Sequence, residues 1–172
     1  SPGGIDPECM TNDGYYLFGI EQNILTVRNI GYLYCLVHSI NKSLDEFLLD
    51  VSKRIKKSPD KFYSLLSGTA SLYFTSAVAL ADIISTLTTH VLDHKYAAVD
   101  YNLLFMSIAY YYYGVNTILF DDQNKERIDL HLPKGLKNVE EMFPSSHKNL
   151  VVLRKRTKYY PIYLLNSELY KR

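Results

Sequence analysis

The spacing of apolar and polar positions changes character along the chain. Residues 15–28, YYLFGIEQNILTVR, hold two short apolar runs broken by Gly19 and by Glu21-Gln22-Asn23, which predicts extended structure. Residues 30–41 place Ile30, Leu33, Tyr34, Val37 and Ile40 at helical spacing. Ser43 with Glu46 three residues on forms a capping box ahead of Leu44, Phe47, Leu48, Val51 and Ile55, one face of a second helix. Its last turns carry Lys53, Arg54, Lys56 and Lys57, where cations suit the helix dipole. Ser58-Pro59 starts a third helix with Phe62, Leu65 and Leu66, and Gly68 stops it.

Residues 69–92 hold one carboxylate, Asp82, in a long apolar and hydroxyl-rich run. The length would span a bilayer. A carboxylate near the middle costs roughly 2.5–3.5 kcal/mol there, so a buried helix is expected instead. Asp100 is placed to cap YNLLFMSIAYYYY, which Gly114 closes. The period then shortens. VNTILFDD and RIDLHLP read as strands, KGLKNVEEMFPSS as a loop with a helical turn, and NLVVLRKR with YYPIYLL as an antiparallel hairpin. Pro161 argues that its second strand is an edge or pairs incompletely. Helices first and strands afterwards predict an α+β fold, a helical cluster packed on a small, mostly antiparallel sheet.

Composition narrows the function only slightly. Of 172 residues, 47% are hydrophobic and 22% charged, which suits one folded domain, and the net charge of +1 gives no global pull toward nucleic acid or anionic lipid. The first nine residues, SPGGIDPEC, read as an expression-vector remnant ahead of Met10, leaving 10–172 as a single domain with Cys35 as its one native cysteine. One cysteine builds no disulfide framework, so a reducing intracellular site is expected. No signal peptide is expected, because TNDGYY follows Met10 without a basic and then apolar stretch. Sixteen tyrosines and no tryptophan, with abundant Ile, Lys and Asn, fit AT-rich coding sequence.

Four groups of residues bear on chemistry. Cys35, near the start of the first predicted helix, is either a nucleophile with a depressed pKa or a small apolar core residue. As a nucleophile it needs a base from elsewhere; of His38, on the same helix, His90, His94, His131 and His147, the two that lie in the strand half, His131 and His147, are preferred. Lys148, Arg154, Lys155, Arg156 and Lys158 fall within eleven residues without an acid, and Tyr159 and Tyr160 follow. Cations for phosphates beside aromatic faces for bases suit single-stranded nucleic acid; a solvated hairpin turn has the same composition. Tyr110 to Tyr113 point all round their helix, and those left outside would suit a protein partner. His90 and His94, with Asp93 between them, share one helix face but lack a third ligand, so no metal is expected, and no cofactor-binding fingerprint is present.

The segment CLVHSI, Cys35 to Ile40, resembles the surroundings of the catalytic cysteine in the ovarian-tumour (OTU) family of papain-like deubiquitinases. VDYNLLFMSIAYYYYGVNTILFD is similar to that family's later helix and strand, and NLVVLRKRTKYYPIYLL to its terminal hairpin. The resemblance implies a papain-like fold. It also implies lost chemistry: the family's Asp-Gly-Asn before the cysteine is Tyr32-Leu33-Tyr34 here, and Tyr159-Tyr160 replaces its catalytic His-Tyr. A phenol with a reference pKa of about 10 cannot serve as base near neutral pH. The same span resembles a domain in large transcription and replication proteins of nucleocytoplasmic large DNA viruses. Together these imply a non-catalytic, OTU-like interaction domain in the cytoplasm of an infected cell, holding a protein partner from a viral complex or a ubiquitin-like protein. The alternatives are an active cysteine peptidase using Cys35 and a single-strand-binding domain using the Arg154–Tyr160 hairpin.

Overall fold

The computed structural model describes residues 15–17, 24–75, 78–90, 99–121, 128–131, 144–156 and 158–164. The fold is α+β. Strand β1 (Tyr15–Leu17) is followed by helices α1 (Ile24–Ser39), α2 (Leu44–Lys57), α3 (Pro59–Ser67), α4 (Leu80–Ser85) and α5 (Asn102–Tyr113). Strands β2 (Val115–Asp121), β3 (Ile128–His131), β4 (Lys148–Lys155) and β5 (Lys158–Leu164) then complete a five-stranded sheet of order β1-β5-β4-β2-β3. Among the described residues β2 and β4 pair in parallel and the other three pairings are antiparallel.

Local chemistry explains most boundaries. Ser43 Oγ accepts the Glu46 N–H at 3.2 Å and starts α2. Pro59 opens α3, and Gly68 closes it with its N–H on Leu65 O. Asp100 Oδ1 accepts the Asn102 N–H at 2.9 Å and starts α5. Gly114, at φ 61°, ends α5 in the left-handed conformation that lets β2 leave at once.

Two expectations are corrected and a third is met in part. Residues 24–28 are helical, not extended: α1 begins at Ile24 and merges two helical pieces across a break at Ile30. The expected helix over 69–92 is a 3₁₀ turn at Ala70–Leu72, the short α4 and a π turn at Thr86–His90. Its hydroxyls compete for the backbone: Ser71 Oγ donates to Gly68 O at 2.7 Å, Thr86 Oγ1 to Asp82 O and Thr88 Oγ1 to Ile84 O at 2.8 Å. Asp82 is exposed, so it is not a buried charge. Finally, β5 is flanked by β1 and β4 and is not an edge. Among the described residues Pro161 pairs on one side, the incomplete pairing that was the other expectation. It faces Val152 of β4, whereas the described pairing with β1 stops at Leu17↔Ile162. The expected loop's residues 134–143 lie outside the described residues; Pro144–His147 form a turn closed by His147 N–H on Pro144 O.

The sheet's alternation gives it two different faces. Val115, Thr117, Leu150, Val152, Tyr159 and Pro161 are buried on the inner face. There α1 lies on β4 and β5 and α5 on β2. α2 packs on α1 and brings Phe47 to Phe105 of α5, with ring centroids 6.2 Å apart. Leu33, Leu36, Phe47, Ile55, Phe62, Ile83, Leu104 and Ile108 are fully enclosed between these layers. Each such side chain contributes about 1.5–3 kcal/mol by leaving water. The outer face carries Ile118, Phe120, Val151, Leu153, Tyr160 and Ile162, all half-buried and none in the helix-side core.

Candidate functional site

The break in α1 is where the singled-out segments meet. Ile30 leaves helical geometry (φ −138°, ψ 18°), so the following turn starts with backbone amides that lack their usual carbonyl partners. Asn102 Oδ1 accepts one of them, the buried Tyr32 N–H, at 3.0 Å. Asn102 is oriented in turn by its neighbours. Its Nδ2 donates to Asp100 Oδ1 at 2.9 Å and to Tyr159 Oη at 3.3 Å. Arg154 stands across the β-ladder from Tyr159, where its charge favours ionising the same phenol. The Tyr32 hydroxyl and Thr117 Oγ1 lie 2.7 Å apart, tying α1 to β2.

Tyr159 fills the space beside the break. Its ring lies directly on Gly31: a Cβ at that position would fall far inside contact with Tyr159 Cδ2 and 3.0 Å from Cγ and Cε2. Glycine is needed here for this close approach. Tyr159 is buried, and burial raises its phenol above the ordinary value.

Cys35 follows one turn later, at 0% exposure in the core. Burial pushes its thiol far above the ordinary cysteine range, so the neutral form holds at physiological pH. It lies close enough to Tyr32 and Tyr159 that a charge on the thiol would disfavour ionising either phenol. The expected position near a helix start is not found. Even counted from the break, Cys35 sits in the second turn, where the freed amides do not reach it. The nucleophile expectation therefore gains neither access nor an activating field from this geometry.

The candidate bases stand elsewhere. His131 is in β3, paired with Thr117; its side chain lies outside the described residues, as does that of His90. His147 is half-buried at the start of β4. Its Nδ1 is 3.0 Å from Asn116 Oδ1, while Asn116 Nδ2 donates to Asn149 Oδ1 at 2.9 Å. Asn116 thus offers its oxygen, and His147 Nδ1 donates to it. The ring stands edge-on to Tyr110 at 4.9 Å. Asn116 and Tyr110 are the described partners of His147, so its geometry serves the strand ends and not Cys35. Lys148, next in sequence, donates to Ser39 O at 2.6 Å.

The hairpin residues divide between the two sheet faces. Arg154 and Tyr159 belong to the inner face, where Tyr159 is buried and has no ring face to offer a base. This corrects the expectation that both tyrosines are available. Lys155, Lys158 and Tyr160 belong to the outer face, with the lysines exposed and Tyr160 half-buried. Arg156, at the turn, is exposed.

The tyrosine run is used mainly within the fold. Tyr110 meets His147, and Tyr112 is buried with Lys61 Nζ 5.0 Å from its ring centroid. Tyr113 donates to Asp50 Oδ2 at 2.5 Å and lies under Arg54. That hydrogen bond is the main reason the Asp50 carboxyl is held below its ordinary value. Tyr111, 36% exposed, is the member that faces outward.

Among the described residues no three His, Cys, Asp or Glu side chains converge on a metal-sized site, and no helix is long and apolar enough to cross a membrane. His94 and Asp93 lie outside the described residues. No known protein family, curated protein or solved structure matches the chain. The site residues absent from the sequence expectations are Gly31, Asn102 and Thr117. A lone glycine inside the helical pattern at Ile30–Leu33 was the available signal for the first, since such a glycine marks a close approach.

Proposed function

We propose that this chain is a non-catalytic interaction domain of OTU-like arrangement, from a viral transcription or replication protein that works in the infected cell's cytoplasm. The burial of Cys35 carries this reading. In support of this reading, α1, which carries the cysteine segment, packs on β5 of the hairpin. The tyrosine at the histidine position closes the intervening space onto Gly31. A cleft filled by the protein's own ring has no room for a substrate chain, whereas the outer surfaces remain for a protein partner, a viral subunit or a ubiquitin-like protein.

An electrophile-tipped ubiquitin probe tests the reading against an active deubiquitinase. With Cys9→Ser as the background, no Cys35-dependent adduct is expected under native conditions. An adduct that disappears on Cys35→Ala would establish a working nucleophile and overturn the non-catalytic assignment.

A further inference from the structure

The outer sheet face joins two features that the inner site does not use. Register places Phe120 of β2, Leu153 of β4 and Tyr160 of β5 in one row across three strands. Two strand spacings separate the outer members, so their backbone positions stand about 10 Å apart with Leu153 between them. One pleat further, roughly 7 Å along the strands, Lys155 and Lys158 are directly opposed. Like charges in that position repel, and an anion between them removes the penalty. Arg156 completes the tip in the left-handed conformation, at φ 59°, where turns of this kind usually place Gly or Asn. The tip thus presents three cations beside half-buried aromatic rings, and among the described residues the nearest carboxylate in register, Asp121, stands opposite Arg154 on the other face.

We propose that this face binds single-stranded nucleic acid, with bases stacked on Phe120 and Tyr160 and the backbone held by Lys155, Arg156 and Lys158. A duplex keeps its bases stacked on each other and has no ring to give Phe120 or Tyr160. An acidic peptide would use the cations but not the aromatic row. The site is separate from the filled space at Gly31, and it stands whether or not Cys35 is catalytic.

Fluorescence anisotropy with a labelled oligothymidine of about 12 nucleotides, within the usual range of about 4–16 per site, tests the proposal. Binding should weaken as salt rises, with a slope of log K against log salt near −2, from three cations at about 0.7 each. Lys155→Glu with Lys158→Glu should lower affinity at least about tenfold and flatten that slope. Tyr160→Leu keeps an apolar side chain but removes the stacking ring; it should weaken binding roughly fivefold or more and leave the slope unchanged. The lysine variants alter exposed side chains, so they keep the test valid even if Tyr160→Leu fails to fold. Absence of binding at low salt would overturn the proposal. So would equal affinity for a duplex of the same length, equally effective competition by polyglutamate, or indifference to the lysine substitutions.

Discussion

Gly31→Val is expected to lower the stability of the domain by about 3 kcal/mol, at the upper end of the usual cost of overpacking a core. The first added carbon falls far inside contact distance of the Tyr159 ring edge, and the γ-branches deepen the clash. The ring cannot swing away without cost, because Tyr159 is buried under α1 and its hydroxyl is held by Asn102. Urea unfolding measures the loss. The decisive comparison is with Tyr159→Ala. Removing the ring leaves a cavity and destabilises by itself, but it also makes room for valine, so the double variant should lose less than the sum of the singles by about 1 kcal/mol or more. Additive losses would show that the ring does not occupy the space beside the break.

Asn102→Ala is expected to cost about 2–4 kcal/mol: roughly 1–3 for orphaning the buried Tyr32 N–H and about 1 for the bond lost to Tyr159. Asn102 substitutes for the carbonyl that the break at Ile30 removes, so one side chain on α5 holds α1 and β5 in register. Tyr159→Phe separates the two contributions, since it deletes only the hydroxyl and should cost about 1 kcal/mol. A loss below about 0.5 kcal/mol for Asn102→Ala, in the range of an ordinary surface change, would contradict this arrangement.

Legibility from the sequence followed the locality of the cause. Ser43, Gly68, Asp100 and Gly114 act within a turn of their own position, and each begins or ends an element as its chemistry requires. The hairpin of β4 and β5 was legible for the same reason. The break in α1 was not, because it depends on Asn102, seventy positions away in sequence. The helix expected over 69–92 failed where hydroxyl side chains took backbone carbonyls, a competition that apolar spacing does not register. Strand alternation does say that Tyr159 and Tyr160 face opposite ways. Which of them is enclosed depends on the side where α1 packs, and that is a tertiary fact. The same fact divides the basic hairpin, leaving Arg154 beside the buried phenol and Lys155 and Lys158 on the outer face.

The most direct test of the central claim, a closed site with an unreactive cysteine, is the alkylation of Cys35 by iodoacetamide as a function of pH in a Cys9→Ser background. The structure predicts little or no labelling of the folded protein at neutral pH, and ordinary labelling once denaturant exposes the thiol. Fast labelling of the folded protein, with a midpoint well below the reference value of about 8.5, would reveal an accessible, activated thiolate and contradict the account.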